Sequence, residues 1–391
     1  MVDWEAGDLL GPVEIGPVAH GGHCVARVDG VVVFVRHALP GETVMVRVTG
    51  REKSFARGDA VTIITPHPER TEPPCPVARP GGCGGCDFQH ATLALQRRLK
   101  TDVVAEQLRR LAGHTWRGEV EGVPDDDGLG WRTRMRYRVT GDGRLGLRAH
   151  RSHEVIGLPE GGCRIADPAL PAVPESLLTS RPEEVLVAGR GEREGAVLVD
   201  GALVAGRGLL TETVHGIPYA VAADGFWQVH PAAAGVLVEA VLDGLNPQAG
   251  ERAWDLYCGV GLFSAALAEA GCRVRGVELD RRAVDLAQSN VPGGSFVAGR
   301  VERVVARWPG AVDLVVLDPP RTGAGRDVVR AVAERRPRRV AYVACDPAAL
   351  ARDVATFAGL GMELVDVRAL DLFPMTHHVE CVALLEPAPG V

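Results

Sequence analysis

The sequence predicts an α/β protein whose C-terminal part forms a doubly wound sheet. From about residue 226, strand-like apolar runs alternate with helical apolar runs, which is typical of a parallel sheet covered by helices on both faces. Before that point, short strands broken by glycine and proline turns predict β-rich structure. We therefore expect three domains, at residues 1–66, 67–225 and 226–391.

Composition and charge set the broad class. Hydrophobic residues make up 46% and charged residues 24% of the chain, as in ordinary globular proteins. No apolar run approaches the roughly 20 residues of a membrane helix. Residues 1–5 are acidic and lack the basic and apolar regions of a signal peptide, so a cytoplasmic location without membrane attachment is expected. The net charge of −7 does not by itself indicate a nucleic-acid binder.

Residues 7–65 predict a small OB-like β-barrel. Val31–Val35 and Val44–Val48 read as strands, and the glycines between the strands mark turns. The segment contains Ala19-His20-Gly21-Gly22, Asp29-Gly30, Val33-Phe34-Val35 and Leu39-Pro40-Gly41-Glu42. In these residues it resembles the TRAM domain, an RNA-binding barrel.

The predicted second domain begins with a proline- and cysteine-rich connector at residues 71–76. A helix is expected over about 91–119, packed on the third domain, followed by an acidic turn at 125–127 and β-rich structure over 130–225. Four arginines alternate along a predicted strand and would share one face. They form either a solvated face or a surface that follows RNA phosphates: Arg132, Arg134, Arg136 and Arg138.

The chain has nine cysteines, and an odd number without an export signal argues against a disulfide framework. Metal binding or catalysis is the better expectation for some of them. In the third domain, ligands of a doubly wound sheet are expected outside the carboxyl ends of the strands. The predicted strands end at Cys258, Asp280, Ala298, Asp318, Cys345, about Leu372 and about Glu386.

The first of these strand ends predicts a nucleoside-type cofactor site. Gly259 and Gly261 permit a tight turn and close approach of a ligand to a helix N-terminus. Glu278 ends the next strand, where a carboxylate can accept hydrogen bonds from ribose hydroxyls. Gln228 opens the domain and is a further candidate for binding cofactor or base. NAD, FAD and S-adenosylmethionine sites all share a glycine loop of this kind.

Two later strand ends carry reactive groups. Cys345 stands before Asp346-Pro347 and a helix N-terminus that we expect to lower its pKa, which makes it a candidate nucleophile. Glu380 begins the last strand at the same rim and would act as an acid or base beside the thiol. Asp318 precedes two prolines that fix an extended loop, a pattern typical of methyltransferases that act on nucleobases.

These residues, taken in order, resemble the RNA 5-methyluridine methyltransferase family, in the form with a TRAM domain and an iron–sulfur cluster. The resemblance covers residues from about 7 to 386. The family's mechanism implies that Cys345 attacks carbon 6 of uracil and that Glu380 removes the carbon 5 proton. The positions that it implies for binding S-adenosylmethionine or the base are Gln228, Tyr257, Glu278 and Asp318, beside Gly259 and Gly261 of the glycine loop. The most specific motifs are Asp318-Pro319-Pro320-Arg321, Tyr342-x-x-Cys345 and Asp371-x-Phe373-Pro374-x-Thr376-x-His378-Val379-Glu380.

The resemblance also implies a [4Fe–4S] cluster on Cys75, Cys83, Cys86 and Cys163. Four thiolates can equally hold zinc, and the chemistry of the residues alone does not choose between the two. The chain departs from the family's usual residues near the site, which bears on the positioning of base and cofactor. The departures are Ala344, Asp346, Ala349, His230, Leu262 and Met375.

Rival functions account for fewer of these residues. A 5-methylcytosine RNA enzyme would carry a second cysteine in the loop after Asp318, and a radical methylthiotransferase would carry a C-x3-C-x2-C triad; neither is present. A dehydrogenase leaves Cys345 and Glu380 without a role, as does a catalytically silent RNA-binding assembly factor. We expect an RNA substrate, with ribosomal RNA favoured over transfer RNA, and a monomeric enzyme.

Overall fold

The computed structural model describes residues 4–123 and 127–389. Residues 1–3 and the first two residues of the predicted acidic turn at 125–127 lie outside this part. The first six strands form one sheet in the order β1-β5-β6-β4-β3-β2. Their bounds are β1 Leu9–Glu14, β2 Val18–Ala19, β3 His23–Val28, β4 Val31–Arg36, β5 Thr43–Arg51 and β6 Phe55–Thr65.

Alternation of buried and partly exposed residues along the strands forms the core of this first sheet. Val33 and Val35 of β4 and Val44 and Val46 of β5 are fully buried, while the residues between them are partly exposed. β1 also contacts β3, so the sheet curls on itself as an OB-like fold requires. The same core includes Leu99 from outside the sheet.

The first helix, α1, covers Leu93–Ala112 and is shorter than the predicted 91–119. The Thr92 side chain caps it by accepting a hydrogen bond from the backbone N–H of Leu95. Gly113, with φ 66°, ends the helix in the left-handed conformation that glycine adopts without strain. The short strand β7, Val120–Gly122, follows.

The middle of the chain is β-rich, as predicted. One antiparallel sheet has the order β10-β9-β8-β11-β12-β13, and β14 pairs with β15 as a separate hairpin. A 3₁₀ turn at Glu175–Leu177 separates β10 from β11. The bounds are β8 Arg134–Val139, β9 Leu145–Arg148, β10 Val155–Gly157, β11 Val185–Ala188, β12 Ala196–Val199, β13 Ala202–Gly206, β14 Leu209–Val214 and β15 Ile217–Ala222.

The C-terminal part forms an eight-stranded sheet in the order β18-β17-β16-β19-β20-β22-β21-β7. Its helices are α2 Ala233–Leu245, α3 Leu262–Glu269, α4 Arg281–Asn290, α5 Val301–Val305, α6 Arg326–Ala333 and α7 Pro347–Ala358. Its remaining strands are β16 Arg252–Leu256, β17 Arg273–Glu278, β18 Ser295–Ala298, β19 Leu314–Leu317, β20 Arg339–Ala344, β21 Met362–Asp371 and β22 Glu380–Pro387.

The predicted doubly wound α/β fold is confirmed. One core lies between the sheet and α5, α6 and α7, and a second lies between the sheet and α2, α3 and α4. Strands β16 to β20 are parallel, but β22 runs antiparallel to β20 and β21, and no helix connects β21 to β22. The strict alternation of strand and helix that we predicted is therefore wrong for this last pair.

Helix α1 packs against α7. Strand β7, which follows α1 in the chain, pairs with β21 and forms the edge of the eight-stranded sheet. The same helix supplies Leu99 to the core of the first sheet, so it contacts both the first sheet and the eight-stranded sheet. Within residues 4–123 and 127–389, none of the helices combines the length and apolar character needed to cross a membrane.

Candidate active site

Cys345 and Glu380 lie side by side at the carboxyl edge of the parallel strands. β20 ends at Ala344, one residue before Cys345, and β22 begins at Glu380. In the antiparallel register of these strands Ala344 lies opposite Cys381, so the next pair outward is Cys345 and Glu380. The strand pairing therefore brings together two groups that the sequence could place only at the same rim.

Glu380 is a buried carboxyl group, with 4% of its surface exposed. Burial raises its pKa well above 4.5, the charge of Asp318 raises it further, and the charge of Arg321 lowers it. Asp318 follows β19 directly, and burial together with Asp255 and Glu278 raises its pKa to about 7. A carboxyl group with a raised pKa is a stronger proton acceptor once it is ionised.

The expectation that a helix N-terminus lowers the pKa of Cys345 is wrong for this structure. Burial raises the pKa of the thiol to about 11, and the Glu380 carboxylate contributes in the same direction, while Arg321 opposes it. Asp346, not Cys345, caps α7, and its side chain accepts the hydrogen bond from the backbone N–H of Ala349 at 2.7 Å. The resting thiol is therefore protonated at neutral pH, although Arg321 supplies one positive charge near it.

The predicted glycine loop has the geometry of a ligand cradle. Gly259 and Gly261 have φ angles of 53° and 92°, and Gly261 begins α3. A Cβ atom on Gly259 would meet nothing within 4 Å, whereas one on Gly261 would lie 3.0 Å from Val291. Glu278 accepts hydrogen bonds from the backbone N–H groups of Gly259 at 3.2 Å and Asp280 at 2.9 Å, which hold its carboxylate beside the loop.

Tyr257 and Gln228 are the two remaining predicted cofactor positions. Tyr257 directly follows β16 and has a φ of 68°, and its hydroxyl donates to the carbonyl of Ala324 at 3.4 Å, in the loop that follows Asp318. A non-glycine residue in this region of φ is strained, and such residues cluster at functional sites. Gln228 is 8% exposed and lies in the segment that enters the C-terminal part of the chain.

The loop after Asp318 is held by a residue that the sequence analysis missed. Asp353 lies on the buried face of α7, and its carboxylate accepts hydrogen bonds from the Tyr342 hydroxyl at 2.6 Å and from the backbone N–H of Ala324 at 2.7 Å. Tyr342 therefore supports the loop rather than contacting substrate. An acidic residue among the apolar positions of α7 is the signal that could have found it, because a lone buried carboxylate needs partners.

The loop before Glu380, residues 372–379, is held from outside the sheet. The Lys100 amine donates to Asp371 at 2.5 Å and to the carbonyl of Phe373 at 3.1 Å. Gln96, also on α1, accepts from the backbone N–H of Met375 at 2.8 Å. Asp87 accepts from the backbone N–H of His377 at 3.1 Å. Nothing in the local sequence marks these three residues, because their partners lie more than 270 positions away.

The four cysteines of the expected cluster line one cavity of about 530 Å³: Cys75, Cys83, Cys86 and Cys163. Among the described residues, no group of three or more cysteine, histidine or acidic side chains is arranged to hold a metal ion. The four thiols share this lining, and thiolate is a ligand type that both iron–sulfur clusters and zinc take.

The alternating arginines are largely engaged by the protein itself. Arg134 is buried and donates to the backbone carbonyls of residues 222, 223 and 225, and Arg132 donates to the carbonyl of Arg134. Arg136 pairs with Glu184, and Arg138 pairs with Glu183 and Glu184. Only Arg136 of the four is exposed, which favours a structural role for this strand.

Comparison with known families agrees with this arrangement. Residues 12–61 match the family model of the TRAM domain, and residues 309–388 match the model described as tRNA (uracil-5-)-methyltransferase. The second match contains Asp318, Cys345 and Glu380. The fold and the matched family model together assign this chain to the class of α/β methyltransferases.

Proteins similar over their full length define the family further. An RNA methyltransferase of Streptomyces avermitilis is 47% identical, over 96% of this chain and 98% of the relative. One of Bifidobacterium longum is 39% identical, over 95% of each chain. The chain belongs to this family of RNA methyltransferases. The solved tRNA (uracil-54, C5)-methyltransferase of Pyrococcus abyssi, in complex with S-adenosyl-L-homocysteine, has the same fold, with a TM-score of 0.69 at 22% identity over 96% of this chain and 99% of that one.

Proposed function

We propose that the protein transfers a methyl group from S-adenosylmethionine to carbon 5 of a uridine in RNA. The observation that carries the proposal is the pairing of Cys345 with Glu380 across β20 and β22, beside Asp318. A nucleophile and a proton acceptor on one rim are the two groups that methylation of an unactivated pyrimidine carbon needs.

The reaction proceeds by covalent addition. The Cys345 thiolate forms a bond to carbon 6 of uracil, and the electrons of the 5,6 double bond become available at carbon 5. Carbon 5 then takes the methyl group, and S-adenosylhomocysteine leaves. Glu380 removes the hydrogen of carbon 5 as a proton, the double bond reforms, and the carbon–sulfur bond breaks to release thiolate and methylated RNA.

The positive sulfonium group would add a second positive charge to that of Arg321, which by itself leaves the pKa of Cys345 raised. Glu278 and Asp318 supply negative charge on the side of the glycine loop. Gly259 leaves the backbone open to the nucleoside, and Gly261, Gln228 and Tyr257 complete the proposed binding set. A cation that binds there favours ionisation of the nearby thiol, so cofactor binding and nucleophile activation are coupled.

The TRAM sheet offers a second feature suited to RNA. The Arg57 guanidinium lies 4.9 Å from the ring centroid of Phe55 and 5.8 Å from that of Phe34. All three side chains are half-buried, so part of each is accessible. Aromatic rings and a guanidinium group stack with unpaired bases irrespective of sequence.

We further propose that Cys75, Cys83, Cys86 and Cys163 hold a [4Fe–4S] cluster with a structural role. None of them lies at a strand end of the eight-stranded sheet, but Cys86 directly precedes Asp87, which holds the loop before Glu380. Protein purified without oxygen should be brown and contain about four irons per chain. Colourless protein with one zinc per chain would support the alternative metal instead.

Ribosomal RNA is the substrate we propose, with transfer RNA as the alternative. The joint presence of a TRAM domain and a four-cysteine cavity supports the former. Mapping 5-methyluridine in ribosomal and transfer RNA from cells with and without the gene identifies the substrate. Loss of the modification from transfer RNA alone would favour the alternative.

The decisive test of the mechanism uses two variants and denaturing electrophoresis with substrate RNA and S-adenosylmethionine. Cys345→Ala should neither methylate nor form an adduct. Glu380→Gln should attack and methylate, then stall as a slow-migrating protein–RNA band, because the proton that blocks elimination stays in place. Cys272→Ala, which removes a cysteine remote from the rim, should behave as the unmodified protein.

Two outcomes contradict the mechanism: methylation by Cys345→Ala, or the same band from that variant. A catalytically silent RNA-binding factor is the second candidate, and it predicts that none of the proteins, including the unmodified one, gives methylated RNA or a band with either ribosomal or transfer RNA.

A further inference from the structure

A loop of the TRAM sheet reaches the site from outside the sheet that carries it. This docking loop, residues 20–22 between β2 and β3, places the His20 Nε2 atom 3.1 Å from the Asp346 Oδ2 atom. Asp346 follows Cys345 directly, and its other carboxylate oxygen caps α7 through the N–H of Ala349. Both carboxylate oxygens of Asp346 are thus engaged, one by the backbone of α7 and the other by His20 of the docking loop.

The same loop also contacts the opposite side of the site. A Cβ atom on Gly22 would lie 2.7 Å from the Cβ of His377 and 3.0 Å from the Cγ of Asp87. Glycine at this position therefore permits a contact that any side chain would prevent. His377 stands three residues before Glu380, in the loop held by Asp87 and Gln96.

We propose that His20 is a positioning residue for the methyl transfer, and that the docking loop orients Cys345 through Asp346 and Glu380 through the 372–379 loop. The proposal rests on the proposed function. It assigns the TRAM domain a part in the chemical step in addition to RNA contact. The contact uses the carboxylate that this chain carries at position 346.

Geometry decides what each change should do. His20→Ala removes the contact with Asp346 and frees the turn after Cys345, whereas His20→Gln keeps a donor that can reach the same oxygen. The pair is part-exposed, at 38% and 22% of the two side chains, so we expect about a twofold to fivefold effect. Asp346→Asn keeps the helix cap and removes the charge.

The first experiment measures single-turnover methylation at saturating RNA, and the dissociation constant for RNA separately. His20→Ala should slow the methylation step with little change in RNA binding, and His20→Gln should restore most of the rate. The effects of His20→Ala and Asp346→Asn should be less than additive when combined, since both remove one interaction. His153→Ala, an exposed histidine away from these contacts, is the control.

The second experiment uses two glycines of the TRAM sheet as a matched pair. Gly22 and Gly30 have φ angles of 76° and 80°, so alanine strains the backbone similarly at both. A Cβ on Gly30 meets nothing within 4 Å, whereas one on Gly22 meets His377. Gly22→Ala should therefore slow methylation more than Gly30→Ala does, by about a further tenfold if the clash displaces the loop.

A third measurement separates failure of this inference from failure of the proposed function. The alkylation rate of Cys345 by iodoacetamide, read by peptide mass spectrometry, needs neither RNA nor cofactor. His20→Ala and Gly22→Ala should change that rate about twofold or more, and His20→Gln and Gly30→Ala should not. Equal effects of alanine and glutamine at position 20, fully additive double variants, or a loss confined to RNA binding would overturn the positioning role.

Discussion

Replacing Lys100 with methionine should destabilise the protein by about 3–5 kcal/mol. The Lys100 and Asp371 side chains are 1% and 2% exposed, and the amine also donates to the carbonyl of Phe373. Methionine fills nearly the same volume, so the loss does not come from a cavity. It comes from a carboxylate left in the interior without its cation and from a carbonyl left without its donor.

The double variant Lys100→Met with Asp371→Leu provides the internal check. Removing both charges also removes the cost of burying them, so most of the lost free energy of unfolding should return. Urea unfolding, followed by circular dichroism, measures the free energy for each variant. Arg110→Met is the matched control on the same helix, because the Arg110 side chain is 61% exposed and its pair with Glu106 contributes little.

The activity of the same variants tests the link to the site. The double variant should regain most of the lost stability yet methylate more slowly than the unmodified protein, since the carbonyl of Phe373 loses the donor that holds the 372–379 loop. A free energy of unfolding lowered by less than about 1 kcal/mol in Lys100→Met would refute the reasoning. So would a double variant no more stable than the single one.

Three further predictions follow from the described contacts. Burial and Asp318 raise the pKa of Glu380, so its carboxylate form predominates only above that raised pKa. Activity should therefore fall as the pH drops through a point well above 4.5. Asp318→Asn should move this acid limb of the pH–rate profile to lower pH, because it removes a charge that raises the pKa of Glu380. Asp353→Ala should lower the methylation rate at least tenfold with less effect on RNA binding, because the loop after Asp318 loses its anchor, and equal losses in both measurements would count against that role. Arg57→Ala should weaken RNA binding and reduce its salt dependence more than Arg136→Ala does, since Arg136 already pairs with a carboxylate, and filter binding at several salt concentrations decides between them.

The arginine strand shows where reasoning from a sequence pattern stops. Alternation predicted Arg132, Arg134, Arg136 and Arg138 on one strand; β8 contains the last three, and Arg132 precedes it. Whether such a row faces RNA or the protein depends on what packs over it, and residues 183–184 and 222–225 are distant in the chain. The pKa of Cys345 is a similar case, because the burial and the neighbouring Glu380 that raise it come from strand pairing.

Local patterns in the sequence determined the class of fold, the order of the strand ends and the two residues that we propose as reactive groups. Periodicity and turn residues act over a few positions, so they can be read from one chain. Tertiary structure alone decided that Glu380 stands opposite Cys345, because the register of β20 and β22 is set by packing across the sheet. The tertiary structure also decided that Lys100, Asp353 and His20 support the site. Each of them acts through contacts between segments that are far apart in the chain or on separate elements. Such contacts leave no periodic pattern in the sequence.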